Sequence, residues 1–290
     1  MSDRRARLRH LLDVNVLDRE RPGRGIDHYR DGVFDYPEAY AGFGRAAHAL
    51  GDDALAETCA YWLESAGGPP WGLPWEWKEL PPDTGFVTTT VACQHLMLDL
   101  GRPVDVSWVA EHALVYGEGC DLWVTNSVAQ AAGLLARAGG EPTLVNRLVE
   151  QVSETIYFGL FPYGHETRHH FEQHQAMCVE GLLLASDHSF QVMRVVDANL
   201  DATHRFLYEH TAQGRFSVDR SEWMWVQHAA LQAWCMWRAG RSALAQDMER
   251  VILDNYVDPD DRLLVQPGGR WSVRMAAMAL SALARIDYGD

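Results

Sequence analysis

Basic residues are scarce in this sequence. Of its 290 residues, 25 are Lys or Arg and 40 are Asp or Glu, so the formal net charge is −15 at pH 7. Proteins that bind nucleic acid or anionic membranes need a basic face, and apart from the N-terminal segment RRARLR the basic residues are scattered. We therefore expect neither a nucleic acid nor a membrane as a partner.

Long apolar runs are missing too. No segment approaches the roughly 18 consecutive apolar residues of a membrane-spanning helix. The N-terminal segment, residues 1–21, is charged throughout and lacks the apolar centre of a secretion signal. These absences predict a cytoplasmic protein.

Cysteines are few, and nucleotide-binding motifs are absent. The five cysteines are far apart and lack the short spacing of a metal site, so we interpret them as structural thiols; they are Cys59, Cys93, Cys120, Cys178 and Cys235. The sequence contains no phosphate loop, dinucleotide fingerprint or nucleophile elbow. We predict neither a cofactor nor a metal.

Strand patterns are also lacking, because apolar residues recur at helical spacing almost throughout the chain. Six segments are rich in small residues and apolar nearly all round, so each should be buried on every side. They lie within residues 36–50, 85–100, 123–139, 171–186, 224–240 and 271–286. More amphipathic segments alternate with them, at a repeat of roughly 45 residues. The pattern predicts an inner and an outer set of helices.

The six inner helices have five outer helices between them. A helix over about residues 3–19 can supply the sixth and close a ring. We therefore predict an all-α, single-domain (α/α)6 toroid of six helical hairpins, in which residues 1–34 form the closing helix and a linker and residues 35–290 form the hairpins. An open right-handed solenoid is the alternative.

The loops that enter the inner helices are rich in Trp, His, Gly and Pro, as in GPPWGLPWEWKELPPDT. Aromatic rings stack on sugars, but they also line isoprenoid cavities and stabilise carbocations, so both ligand classes stay open. We predict Trp71, Trp75 and Trp77 as a stacking wall, and Asp83 or Thr84 as the cap of the next helix. The full set of predicted substrate contacts is Trp71, Trp75, Trp77, Asp83, Asn126, His170, Trp225, Arg270 and Trp271, with Arg270 contacting an anionic group.

Several short motifs resemble one family. WGLPWEW followed by DTGFVTTTVACQHLMLDL is similar to the start of an inner helix in VpsJ-type polysaccharide-biosynthesis proteins, which are relatives of the terpenoid-cyclase/protein-prenyltransferase toroids and the six-hairpin glycosidases. HQAMCVEGLL, VQHAALQAW and GGRWSVRMAAMALSALA continue the resemblance over most of residues 35–286. The histidine-rich stretch ETRHHFEQH departs from it. The resemblance implies the toroid more firmly than the chemistry.

The candidate acid–base groups are histidines, a carboxylate and a tyrosine. We predict His174, His228, Glu222 and Tyr163 as catalytic. Histidines four residues apart on a helix can bind zinc if a third ligand converges, but the metalloprotease pattern is absent. We therefore favour ordinary hydrogen-bonding roles for the cluster of His165, His169, His170 and His174.

These features favour a carbohydrate-active enzyme that cleaves a glycosidic bond, by hydrolysis or elimination, or epimerises a sugar. Its substrate would be a glycan or a glycosylated small molecule. An isoprenoid cyclase is the first alternative, because VDPDDRLL contains a D-x-D-D pattern at Asp258, Asp260 and Asp261, although that composition is also typical of a surface turn. GDDALAE resembles a metal–diphosphate motif but fits better as a helix cap. The second alternative is a non-catalytic toroid that binds a glycan or a protein partner; the oligomeric state is not predicted.

Overall fold

The structure is a computed structural model that describes residues 2–76, 80–115, 124–163, 172–186, 190–203 and 224–287. These residues form twelve helices and one two-stranded antiparallel sheet. The helices are α1 (Ser2–Asn15), α2 (Pro37–Leu50), α3 (Asp53–Ser65), α4 (Val87–Asp99), α5 (Ser107–Val115), α6 (Thr125–Arg137), α7 (Pro142–Thr155), α8 (Glu172–Ala185), α9 (Phe190–Thr203), α10 (Val226–Arg238), α11 (Ser242–Asn255) and α12 (Val273–Ala284); the strands are β1 (Arg24–Ile26) and β2 (Val33–Asp35).

The predicted alternation of helix types is confirmed. Each of the six segments predicted as inner helices forms one helix, namely α2, α4, α6, α8, α10 and α12. Helix α10 buries eleven of its thirteen residues, whereas α7 buries three of fourteen. No helix in the described ranges is long and apolar enough to cross a membrane.

Contacts divide the chain into two compact units. The first contains Met1–Pro103, Trp225–Trp237 and Ser242–Asp290, and the second contains Val104–Met224 and Arg238–Arg241. The single-domain organisation stays a prediction.

In the first unit, α2 and α12 pack closely because they meet at a glycine. A Cβ atom added to Gly42 would lie 2.7 Å from the carbonyl oxygen of Ala277. Real Cβ atoms do not approach a backbone this closely, so only glycine fits at this crossing. In the second unit, Gly181 of α8 approaches the carbonyl oxygen of Ala129 in α6 in the same way. These contacts explain why the inner helices are rich in small residues.

Helix α1 joins the two ends of the chain within the first unit. The guanidinium of Arg4 donates to the carbonyl oxygens of Leu283 and Ile286 at 2.8 and 3.1 Å, and Arg9 donates to that of Leu50. The last carbonyls of a helix lack partners within the helix, so these arginines complete the C-terminal ends of α12 and α2. Helix α1 thus contacts both α2 and α12, although it ends at Asn15. Closure of the ring by this helix stays a prediction.

The helix-start predictions have mixed outcomes. Asp52 caps α3, since its carboxylate accepts from the amide of Leu55 at 3.1 Å. The cap predicted for the next inner helix is wrong: α4 begins after Phe86, which has no side-chain cap. Asp83 instead lies in the left-handed region, with φ of 60°, and its amide donates to the carbonyl of Leu73 at 2.7 Å. The chain then stays extended through Gly85 before the helix starts.

Candidate functional site

Three charged side chains meet at the N-terminal ends of α2 and α12 in the first unit. Asp27 follows β1, Glu38 lies in the first turn of α2, and Arg274 lies in the first turn of α12. Nε of Arg274 is 3.0 Å from Oδ2 of Asp27, and its Nη1 is 2.9 Å from Oε2 of Glu38. The Asp27 side chain is 0% exposed, that of Glu38 is 9% and that of Arg274 is 12%. Buried charges persist only when they are paired, and here one guanidinium pairs with two carboxyl groups.

Neutral donors complete the network. The Ser272 hydroxyl, which also caps α12, donates to Oδ1 of Asp27 at 3.1 Å. The Thr89 hydroxyl, in the first turn of α4, donates to Oε1 of Glu38 at 2.8 Å. The network therefore joins the starts of three inner helices and gives every carboxylate oxygen a donor.

The environment keeps Asp27 ionised. Burial alone would raise the pKa of Asp27, but the hydrogen bond from His28 and the charge of Arg274 outweigh burial and lower the pKa to about 2. Burial alone would lower the pKa of Arg274, but the charges of Glu38 and Asp27 outweigh burial and raise it. Asp27 is thus a fixed negative charge at neutral pH and does not donate a proton.

His28 forms a dyad with Asp27. Its Nδ1 lies 2.6 Å from Oδ1 of Asp27. Its Nε2 is buried and has no hydrogen-bond partner among the described residues. A carboxylate at Nδ1 favours the tautomer with a proton there, which leaves the lone pair on Nε2. This arrangement is that of a general base whose orientation is set by a carboxylate.

Aromatic side chains surround the dyad. The Trp225 ring stands edge-on to His28 at 4.6 Å between centroids and to Tyr29 at 5.5 Å. The guanidinium of Arg274 lies 5.4 Å from the Tyr29 ring centroid. Burial raises the pKa of Tyr29 to about 12, so its hydroxyl stays protonated. The predicted residues Trp225 and His228 both belong to this cluster, since their rings stack at 6.2 Å.

A second aromatic group adjoins the charged network. Tyr36, immediately before α2, meets Trp75 at 5.1 Å in an edge-on arrangement, and Phe34 lies 5.9 Å from Trp75. Burial raises the pKa of Tyr36, so its hydroxyl stays protonated at neutral pH. Trp75 was predicted as part of a stacking wall, and the structure places its ring in this three-ring cluster.

Other predicted contact residues have different partners or are exposed. The Trp71 indole donates to the carbonyl oxygen of Leu63 at 3.2 Å, and the Trp271 indole donates to Oδ1 of Asn15 at 2.9 Å, so both rings pack between elements of the first unit. Asp83 and Arg270 are exposed. The guanidinium that does meet anionic groups belongs to Arg274, about one helical turn beyond the predicted Arg270.

Three predicted residues lie together in the second unit. The His174 ring stacks on Tyr163 at 4.9 Å, and burial lowers the pKa of His174 to about 4 and raises that of Tyr163. Asn126, at the start of α6, is buried, and its amide nitrogen lies 3.6 Å from the sulfur of Met177. His174 is therefore uncharged at neutral pH.

The remaining predicted residues lie outside the described ranges; they are Trp77, His170 and Glu222, with His165, His169 and Cys120. Within those ranges no three His, Cys, Asp or Glu side chains come together as a metal site. The other four cysteines are buried free thiols.

The D-x-D-D segment forms a surface turn. Oδ1 of Asp258 accepts from the amides of Asp260 and Arg262 at 2.9 and 2.8 Å. Asp261 pairs with Arg7 and His10 of α1 at 2.6 and 2.9 Å, and Asp260 is exposed. This turn lacks the enclosed carboxylic acid that alkene protonation needs.

Asp27, His28, Glu38 and Arg274 are not among the residues predicted from sequence. Residues 1–34 were assigned to a closing helix and a linker, which left out the loop that precedes the first inner helix. That loop contains the run Asp27, His28 and Tyr29. Three residues capable of chemistry, directly before an inner helix, were the available signal.

Comparisons with known proteins bear on the fold. The sequence matches no protein-family model and no curated protein sequence. Among solved structures, a possible member of the GH105 family from Klebsiella pneumoniae subsp. pneumoniae MGH 78578 is similar, with a TM-score of 0.64 and 14% identity over 98% of this chain and 92% of that one. A glycosidase variant in complex with glucose has a TM-score of 0.64 and 16% identity over 97% of both chains.

A type II terpene cyclase from Scytonema, in complex with its product merosterolic acid A, is similar at a TM-score of 0.53 and 13% identity over 98% of both chains. Likenesses at such low identity show the fold alone. They do not support assignment to the VpsJ-type family in particular. The chain resembles the α/α-toroid glycosidases in fold, as the helical repeat predicted.

Proposed function

We propose that this chain is a glycosidase-like enzyme whose acid–base group is the Asp27–His28 dyad. The observation that carries the proposal is Nε2 of His28, which is buried and unpartnered while Nδ1 lies 2.6 Å from Asp27. Such a nitrogen is available to remove a proton from a water molecule or a sugar and to return it. The substrate would be a glycan or a glycosylated small molecule.

The charged network assigns separate roles to its members. Asp27 stays ionised, so it orients the imidazole and stabilises the imidazolium that forms when Nε2 takes up a proton. Both carboxyl groups already accept from Arg274, which leaves proton transfer to His28. Trp225 and Tyr29 would enclose the ring and exclude water, which strengthens the dyad electrostatically.

The dyad fits more than one reaction. Hydrolysis needs a base to activate water and an acid for the leaving oxygen. Elimination and epimerisation need a base next to an acidic carbon. The catalytic roles predicted for His174, His228, Glu222 and Tyr163 stay predictions, as does the resemblance to polysaccharide-biosynthesis proteins.

The fold comparison supports a sugar as ligand, because one glycosidase of similar fold holds glucose. A terpene cyclase also shares the fold. The surface position of the D-x-D-D turn disfavours class II cyclase chemistry for this chain. The proposal therefore retains the glycosidase interpretation.

An activity screen tests the proposal. The full chain would be incubated with neutral and acidic glycosides, and products would be followed as reducing ends, unsaturated sugars by ultraviolet absorbance, and epimers by chromatography. His28→Gln should lower turnover about 10²- to 10⁴-fold. His48→Gln is the matched control, because His48 is an exposed histidine at the far end of α2. Full activity of the His28→Gln enzyme would contradict the proposal.

A further inference from the structure

Two buried hydrogen-bond donors beside the charged network lack partners. The Tyr36 hydroxyl and the Trp75 indole nitrogen make no hydrogen bond within the described part of the chain. Tyr36 is 1% exposed and Trp75 is 7% exposed. Buried polar groups are nearly always satisfied, and an orphaned one calls for an explanation such as a ligand. The rings of the two residues lie 5.1 Å apart, so one ligand can contact both.

The donors adjoin the proposed acid–base group. Tyr36 directly precedes the first turn of α2, where Glu38 binds Arg274. Arg30, two residues after His28, donates to the carbonyl oxygen of Glu76, next to Trp75, at 3.2 Å. Asp27 in turn holds His28, whose Nε2 is the third orphaned atom. The three unpartnered atoms therefore belong to residues of neighbouring loops in the first unit.

Their chemistry selects the ligand class. Tyr36 and Trp75 present O–H and N–H donors, and Nε2 of His28 presents an acceptor. Sugar hydroxyls both accept and donate, so they suit donors and acceptors alike. A hydrocarbon ligand would leave every one of them unpaired at a cost in free energy. The aromatic content alone did not separate these two ligand classes.

The charges favour a neutral sugar over an acidic one. Asp27 and Glu38 share a single guanidinium, and Arg274 already donates to both. A carboxylate ligand placed here would face two buried carboxyl groups with one paired cation, which is unfavourable in a low-dielectric site.

We propose that Tyr36 and Trp75 are the hydrogen-bond donors of a subsite for a hydroxyl oxygen of an uncharged sugar. The inference deepens the proposed function, because it names the substrate class of the same site. It does not require turnover, so binding and catalysis are tested separately.

The first experiment measures binding to the full chain by calorimetry and ligand-observed NMR, with glucose, glucuronate and farnesol as probes. Glucose should bind, glucuronate should bind at least tenfold more weakly, and farnesol should not compete with glucose. Tyr36→Phe and Trp75→Phe should each weaken glucose binding about tenfold, since each loses one hydrogen bond. Binding of farnesol or glucuronate in preference to glucose, or of no probe, would overturn the inference.

A stability control separates a ligand contact from a structural one. Tyr40, one turn further along α2, is also buried, and its hydroxyl donates to Oδ1 of Asp35 at 2.7 Å. Tyr40→Phe should lower the melting temperature, because a formed bond is lost. Tyr36→Phe should leave the melting temperature unchanged or raise it, because no bond within the protein is lost. An equal drop for both variants would show that the Tyr36 hydroxyl is satisfied in the free protein, and would overturn the inference.

The two proposals fail in different ways. If a glycoside is turned over but Tyr36→Phe and Trp75→Phe leave its KM unchanged, the subsite is wrong and the acid–base role of His28 stands. If glucose binds through Tyr36 but His28→Gln changes no measured turnover, the subsite stands and the proposed function fails.

Discussion

Nε of Arg274 donates to Oδ2 of Asp27 at 3.0 Å, although the two residues are 247 positions apart in the chain. The contact ties the first turn of α12 to the loop that precedes α2. It also supplies the cation for two buried carboxyl groups, because Nη1 of the same side chain donates to Glu38. Arg274 therefore belongs both to the candidate site and to the contact between the starts of α2 and α12.

Replacing Arg274 should destabilise the first unit strongly. Arg274→Met keeps most of the side-chain volume but leaves Asp27 and Glu38 buried without their cation. Breaking a buried ion pair by removing one partner costs about 3–5 kcal/mol. Denaturant unfolding monitored by circular dichroism would measure the loss.

The control for that variant is Arg270→Met, at an exposed position just before the same helix. An exposed substitution should change the free energy of unfolding by no more than about 0.5 kcal/mol. Equal effects of the two variants would contradict a structural role for the buried ion pairs.

The stability of the protein should depend on the ionisation of Asp27 at low pH. Its pKa is lowered from 3.8 to about 2 in the folded protein. The resulting stabilisation, about 2 kcal/mol, is fully present above the unfolded pKa near 4. It should be lost as the pH falls through about 2. Unfolding of the native protein and of Asp27→Asn should therefore differ most above pH 4.

The difference between the two proteins should shrink steadily below pH 4. A difference that stayed constant from pH 5 to pH 2 would show that Asp27 does not titrate with a lowered pKa in the folded state. A difference in the free energy of unfolding that grew as the pH fell would also contradict the prediction, because a lowered pKa stabilises the folded protein only where Asp27 is ionised.

The glycine at the α2–α12 crossing should tolerate no side chain. Gly42→Ala places a Cβ 2.7 Å from the backbone of Ala277, so the helices must move apart. Overpacking of this kind costs about 1–3 kcal/mol, which outweighs the gain of roughly 1 kcal/mol in helix propensity. Thermal unfolding would show the loss. His48→Ala, on the exposed side of α2, should be nearly neutral, and a stabilised Gly42→Ala protein would contradict the close approach.

Asn15 should be essential where α1 ends. Its Oδ1 accepts from the amide of Leu263 at 3.0 Å and from the Trp271 indole at 2.9 Å. Asn15→Ala leaves both donors buried and unpaired, which should cost about 2 kcal/mol or more. Asn255→Ala is the control, because that exposed side chain donates to the carbonyl oxygen of Val251 one turn earlier. Similar unfolding curves for the two variants would contradict this assignment.

The helices could be predicted from sequence because their signal is local. Small and apolar residues repeat with helical spacing, and close contacts such as that of Gly42 with Ala277 require that composition. The end of α1 was placed too late, because Asn15 stops the helix through contacts with Leu263 and Trp271, which are distant in sequence.

The candidate site was harder to predict because its contacts are distant in sequence. Neither the residues around Asp27 nor those around Arg274 indicate that the two side chains pair. Arg270 lies in nearly the same stretch of sequence as Arg274, yet its side chain is exposed. For the tryptophans, similar local sequence leads to different surroundings. Trp71 and Trp75 lie in one proline-rich loop, yet only Trp75 adjoins the charged network, while the indole of Trp71 binds the end of α3.

Synthesis of the chain proceeds from Asp27 towards Arg274, so the two carboxyl groups are made long before their cation. Until α12 leaves the ribosome, burial of Asp27 and Glu38 would leave both carboxyl groups without their cation, which is costly. The start of the first inner helix should therefore remain hydrated in nascent chains. A chain stalled before residue 273 would therefore lack the cation that pairs with Asp27 and Glu38.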